Sequence, residues 1–224
     1  MKKHILFIGD SITDAGRKRV EMGEPCYGMR PMLMGAGYCN YIAGRLSYDY
    51  PGQYEFTNRG ISGHRVVDVY ARIKKDCVNH APDYISILLG VNDVWHEVGE
   101  GNGVETDRFE QVYDMMISYI KEKLPNTKII LIEPFWLPGE ATSGVTDSGV
   151  DRESAFREGV LDKANAVKRV ALKHNLPLVL LQDQLFALQE ANPDEVYLAD
   201  GVHPAYAGYE LMTREWIKVF ETIK

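Results

Sequence analysis

The feature that most constrains this chain is an alternation. Short aliphatic runs take turns with longer segments whose apolar residues recur at helical spacing. The short runs fall at residues 4–8, 54–58, 84–89, 128–133 and 177–181, each bounded by Gly, Pro or Asp. Runs of that length and composition read as strands buried on both faces, as in a parallel sheet. Between and after them lie apolar stripes. Val66, Val67, Tyr70, Ile73 and Cys77 form one, and Phe109, Val112, Tyr113, Met116, Ile117 and Ile120 another. Phe156, Val160, Ala164, Val167 and Val170 form a third, and Met212, Trp216, Val219, Phe220 and Ile223 the last, after Pro204. Their spacing predicts amphipathic helices. Strands alternating with helices require right-handed crossovers, so the expected fold class is α/β, a three-layer α/β/α sandwich on a parallel sheet of about five strands. No repeat, low-complexity tract or linker divides the 224 residues, which are read as a single domain, 1–224.

In such sheets ligands sit at the carboxyl ends of the strands, and that is where the chemistry-bearing residues are found. After the first run comes Gly9-Asp10-Ser11, after the second Asn58-Arg59-Gly60-Ile61-Ser62-Gly63, and after the third Gly90-Val91-Asn92-Asp93. Near the C-terminus lies Asp200-Gly201-Val202-His203-Pro204. An aspartate three residues before a histidine can hold one imidazole nitrogen while the other faces outward, as a general base requires. Each block taken alone reads equally as a turn or a helix cap. There is no G-x-S-x-G elbow.

In their order and placement the four blocks together resemble the SGNH, or GDSL, hydrolase superfamily, whose motifs carry Ser, Gly, Asn and His. That resemblance spans nearly the whole chain and implies the flavodoxin-like SGNH hydrolase fold and a serine esterase. Carried over residue by residue, it makes Ser11 the nucleophile, His203 the base and Asp200 its orienting partner. The oxyanion hole would be built from the Ser11 and Gly60 backbone N–H groups and the Asn92 side chain. A narrower likeness, in Gly35-Ala36-Gly37-Tyr38, Asn92-Asp93-Val94-Trp95 and Pro134-Phe135-Trp136, is to intracellular bacterial acetyl-xylan esterases. It implies removal of acetyl groups from xylo-oligosaccharides, and a homo-oligomer, since some members form octamers. The sequence departs from that subfamily in a longer polar stretch at residues 139–151. Tyr27, Trp95 and Trp136 are candidates for a sugar-facing wall, because aromatic faces stack on carbohydrate. The alternative for each is packing in the core or at a subunit contact. His96 could reach the cleft, but an exposed histidine at a helix start is the favoured reading.

Composition bounds the partners. A net charge of −7 with scattered basic residues disfavours nucleic acid and anionic membranes, whereas a small-molecule or oligosaccharide ester suits the surface. The six histidines, at 4, 64, 80, 96, 174 and 203, form no H-x-x-x-H or Cys/His set, so no metal and no other cofactor is expected. Cys26, Cys39 and Cys77 are odd in number and widely spaced, which predicts reduced thiols. The run Ile5-Leu6-Phe7-Ile8 is too short for a signal-peptide core, and no stretch is of membrane-spanning length, so a cytoplasmic location is expected. Two alternatives share these features: a lysophospholipase or thioesterase of the same type acting on longer acyl chains, and a non-catalytic carbohydrate-binding protein.

Overall fold

A computed structural model describes residues 2–19 and 30–224. Cys26 and Tyr27 lie outside the described residues. The strands are β1 (Lys3–Gly9), β2 (Tyr54–Asn58), β3 (Tyr84–Leu88), β4 (Lys128–Ile132) and β5 (Leu178–Val179). They form one sheet in the order β2-β1-β3-β4-β5, and every neighbouring pair is parallel. The order reverses between β1 and β3, which makes the crevice beyond their carboxyl ends the topological switch point. Register aligns those ends: Phe7 pairs with Asn58, and Gly9 with Leu88. The segments after β1, β2 and β3 therefore leave the sheet side by side.

The helices are α1 (Ser11–Asp14), α2 (Arg30–Met34), α3 (Tyr38–Asp49), α4 (Val66–Asp76), α5 (Val91–Glu100), α6 (Thr106–Lys123), α7 (Arg152–His174), α8 (Gln182–Ala191) and α9 (Tyr206–Glu221). Side chains alternate across each strand, and the two faces make separate cores. Ile5, Phe7, Tyr84, Leu88, Ile130 and Ile132 pack with α3, α8 and α9. Leu6, Ile8, Ile85, Ile87, Ile129 and Leu131 pack with α4 and α6. The long α7 contributes Phe156 and Val160 to the first core, and Val167 and Val170 to the second. This is the expected three-layer sandwich. Its one polar intrusion in the central strand is matched: buried Ser86 accepts from Trp216 Nε1 at 3.0 Å. Leaving such a buried group unpaired costs about 1–3 kcal/mol.

β5 is shorter than the aliphatic run at 177–181 suggests, and the cause is local. The backbone N–H groups of Leu181 and Gln182 turn away from the sheet to Oε2 of Glu133, at 2.8 and 3.0 Å. That carboxylate starts α8 where the ladder would have continued. Among the described residues, no helix is long and apolar enough to cross a membrane.

Candidate active site

Ser11 opens α1 directly after β1. Asp10 caps that helix by accepting the Ile12 N–H at 3.0 Å, which turns the chain sharply and leaves Ser11 at the sheet's edge. On the opposite side, the loop before α9 carries Asp200 and His203. Ser11 Oγ lies 2.8 Å from His203 Nε2, and His203 Nδ1 lies 2.7 Å from Asp200 Oδ2. A carboxylate oxygen only accepts, so the proton is on Nδ1, and Nε2 is left to accept from the serine hydroxyl. The second oxygen, Asp200 Oδ1, accepts the Val202 and His203 N–H groups at 2.9 and 2.8 Å. Partial burial alone would raise the Asp200 pKa. The hydrogen bonds from the His203 backbone, its imidazole and Val202 outweigh it and hold the carboxyl below its ordinary value.

The loop after β2 is assembled by its own polar groups. Asn58 Nδ2 donates to the carbonyls of Thr13 and Met34 at 2.6 and 2.8 Å. Its Oδ1 turns back to accept the Gly60 N–H at 2.8 Å. The Gly60 carbonyl accepts from Arg17 Nε at 3.0 Å, and a Cβ on Gly60 would lie 2.3 Å from Asp14 N. Gly60 is thus a close-packing glycine whose N–H is already used, and the expectation that it faces an oxyanion is corrected here. Ile61 N–H is taken by the Gly9 carbonyl at 3.1 Å and Ser62 N–H by Asp14 Oδ2 at 3.2 Å. The first N–H in the loop with no acceptor among the described residues is that of Gly63, whose φ of +79° suits glycine. Arg72 fastens the loop to β1, donating to the carbonyls of Arg59 at 2.8 Å and Gly9 at 3.1 Å.

Ser11, Gly63, Asn92, Trp95, His96 and His203 line one cleft of about 320 Å³. Asn92 is 6 % exposed, and its Nδ2 makes a long contact of 3.4 Å to the His64 carbonyl, so its amide retains donor capacity toward the cleft. Its neighbour Asp93 turns inward instead, where its carboxylate accepts the Val66 N–H at 3.1 Å and burial pushes its pKa up to about 8. Trp95 stands at the cleft, its ring 5.9 Å from that of His203 and edge-on to Phe156. Trp136 does not. It is 2 % exposed, packs on Phe186, and has its backbone N–H and carbonyl tied to Gln182 at 3.0 and 2.9 Å. The wall expected of it is replaced by a core position, because its backbone is tied at both N–H and carbonyl to Gln182 at the start of α8.

For His96 the less favoured of the two sequence readings holds, since it is half-buried and lines the cleft. It reaches the cleft from the second turn of α5, and its position one helical turn after Asn92 was the signal available in the sequence. Among the described residues, no three His, Cys, Asp or Glu side chains are grouped so as to hold a metal ion. What the arrangement can do is move a proton from a serine hydroxyl to an imidazole held by a carboxylate. Beside that serine lie a backbone N–H and a side-chain amide able to meet developing negative charge.

The chain is similar to known proteins. The model of the GDSL-like lipase/acylhydrolase family matches residues 7–211. An acetylxylan esterase of Geobacillus stearothermophilus is 32% identical over 217 residues, 96% of this chain and 92% of that protein. Its crystal structure superposes with a TM-score of 0.79, covering 96% of this chain and 93% of the other, and it has also been solved as catalytic mutants with a serine, an aspartate or a histidine changed to alanine. A structure called a GDSL-like lipase, from Parabacteroides merdae, gives a TM-score of 0.85 at 33% identity, over 99% of this chain and 97% of that one.

Proposed function

Because the chain belongs to the GDSL-like lipase/acylhydrolase family and is thereby a carboxylic ester hydrolase, we propose that it removes O-acetyl groups from carbohydrates such as acetylated xylo-oligosaccharides, through a Ser11-bound acyl-enzyme. The observation that carries this reading is the unbroken relay from Ser11 Oγ to His203 to Asp200, at 2.8 and 2.7 Å. His203 Nε2 takes the hydroxyl proton as Ser11 Oγ attacks the ester carbonyl carbon. The carbonyl oxygen becomes an oxyanion, met by the Gly63 and Ser11 N–H groups and the Asn92 amide. The imidazolium, stabilised by Asp200, gives the proton to the sugar's ester oxygen as the bond from that oxygen to the acyl carbon breaks, and the sugar leaves with a free hydroxyl. Water then repeats the sequence on the acyl-serine, releasing acetate and restoring the free hydroxyl.

The acetyl preference is supported by the polar side chains among the residues lining the cleft, Ser62 and Glu100 included. A long acyl chain needs an apolar channel. The exposed flank of Trp95 offers a surface for a sugar ring, and the acetylxylan esterase likeness points to the same substrate class. The buried thiols of Cys39 and Cys77, neither in a disulfide, suit a reducing compartment such as the cytoplasm. The test pairs two assays: acetate release from acetylated xylo-oligosaccharides, followed by mass spectrometry, and a p-nitrophenyl ester series from acetate to octanoate. Deacetylation, with acetate turned over far faster than octanoate, is the expected result. Preference for octanoate would replace this reading by that of a long-chain acylhydrolase.

A further inference from the structure

Asn92, Trp95, His96, Gly99 and Glu100 are spaced at i, i+3, i+4, i+7 and i+8 along α5, so one face of one helix forms a wall of the cleft. His96 on that face makes a bond the relay does not use: its Nε2 lies 3.0 Å from the carbonyl oxygen of Gly63. A carbonyl oxygen only accepts, so Nε2 carries the proton and donates. The same helix thus supplies one oxyanion donor, Asn92, directly, and grips the residue that supplies another.

We infer that His96 is a positioning residue for ester hydrolysis: its Nε2–H holds the peptide group after Gly63 and, with the Asp14 bond to the Ser62 N–H before it, fixes the short stretch of backbone that carries the Gly63 N–H. The inference rests on Gly63 being an oxyanion donor, as proposed above. Glycine at a φ of +79° has no side chain to restrict it, so its peptide groups stay put only if their neighbours hold them. On the amino side, Asp14 holds the Ser62 N–H at 3.2 Å. On the carboxyl side the Gly63–His64 peptide is held at both ends, its carbonyl by His96 and its N–H by the Ile61 carbonyl at 3.3 Å, and the next carbonyl, that of His64, is met by Asn92 Nδ2 at 3.4 Å. Two of the three donors to the developing charge, Gly63 and Asn92, are thereby referenced to one element, α5, through residues one helical turn apart. Donor placement matters because a displacement of about 1 Å can cost on the order of a hundred-fold in rate. Neutral and cationic imidazole both keep a proton on Nε2 when it faces a carbonyl, so the grip does not depend on the charge of His96.

The experiment compares His96→Leu, which keeps bulk without a donor, with His96→Gln, whose side-chain amide can reach the same carbonyl. Steady-state kinetics on an acetyl ester should show kcat for His96→Leu lowered by about ten- to a hundred-fold with KM nearly unchanged. His96→Gln should recover most of that loss, and the ratio of wild type to His96→Leu should be constant from pH 6 to 8. Wild-type kcat in His96→Leu, equal loss in both variants, or a loss confined to KM would each overturn the role. Asn92→Ala run alongside separates the two failures. A normal kcat there overturns the oxyanion reading and this inference with it. A depressed kcat there beside a normal His96→Leu overturns the role of His96 alone.

Discussion

Asp10 and Asp200 both lie close enough to His203 to feel its charge, yet their surroundings pull them in opposite directions. Asp10 adjoins the serine in sequence and is fully buried. One of its oxygens accepts the Ile12 N–H, while Oδ2 has no hydrogen-bond partner among the described residues. Burial pushes its pKa up to about 7. Asp200 is distant in sequence, with a side chain 30% exposed, and receives N–H groups on both oxygens. Its pKa falls below the ordinary value. What keeps a carboxylate ionised beside an imidazolium is the set of donors aimed at it, not its nearness to the nucleophile. In the proposed mechanism the two motif aspartates therefore divide the work: Asp10 shapes the turn that presents Ser11, and Asp200 carries the charge that the relay needs.

Matched variants put that division at risk. Asp200→Asn replaces the acceptor of the Nδ1 proton with a group that can favour the wrong tautomer, and kcat should drop on the order of a thousand-fold or more. Asp10→Asn keeps an oxygen for the Ile12 N–H and should stay within about tenfold of wild type, the ordinary range for losing a local structural group. Equal losses in the two would break the comparison. Next in size is Asn92→Ala, which touches neither carboxylate. Removal of one oxyanion donor typically costs a hundred- to a thousand-fold, about 3–4 kcal/mol, and should fall on kcat rather than KM. A drop below tenfold with a lowered melting temperature would make Asn92 a structural cap.

The smallest effect is one of stability. Asp10 has a folded pKa near 7 against an ordinary 3.8, so above pH 4 the native state keeps a proton that the unfolded chain has released. Stability contributed in this way is full below the unfolded pKa and lost as pH rises towards 7. Asp93, pushed up to about 8, adds a slope of the same sign. Asp10→Asn should therefore lose less melting temperature than wild type between pH 5 and pH 7.5, with the Asp93 slope remaining. Identical slopes in the two proteins would remove Asp10 as a buried, protonated group.

The sheet and the positions of Ser11 and Asn92 were legible because strand ends fix where the next residue goes, whereas Asp200 and His203 were legible from their own spacing of three in the loop before α9. Trp136 also follows a strand end, but whether a side chain faces a cleft or a core depends on the path of the next segment, here tied to the start of α8 by the Gln182 amide. The loop after β2 misled in a more instructive way. Two glycines lie in six residues, and only the Asn58 side chain decides between them. An asparagine two residues before a glycine is the pattern of an Asx turn, in which its Oδ1 takes that glycine's N–H. With that rule applied, Gly63 rather than Gly60 becomes the free donor. α5 was partly visible through Val91, Val94 and Val98, all buried. Its cleft face stayed hidden because polar and glycine residues carry no hydrophobic periodicity. The narrow apolar stripe of α8, where Leu185 alone is buried, explains why that helix did not stand out.

The central claim is that Ser11 is the nucleophile, activated by His203 and held in a relay by Asp200. Covalent labelling by a fluorophosphonate, read by intact mass and peptide mapping, tests it most directly. A single adduct on Ser11 is the predicted result, absent in Ser11→Ala, strongly slowed in His203→Ala, and accompanied by loss of esterase activity in proportion to labelling. An adduct on another residue, or a folded Ser11→Ala that keeps more than a few per cent of wild-type turnover, would contradict it.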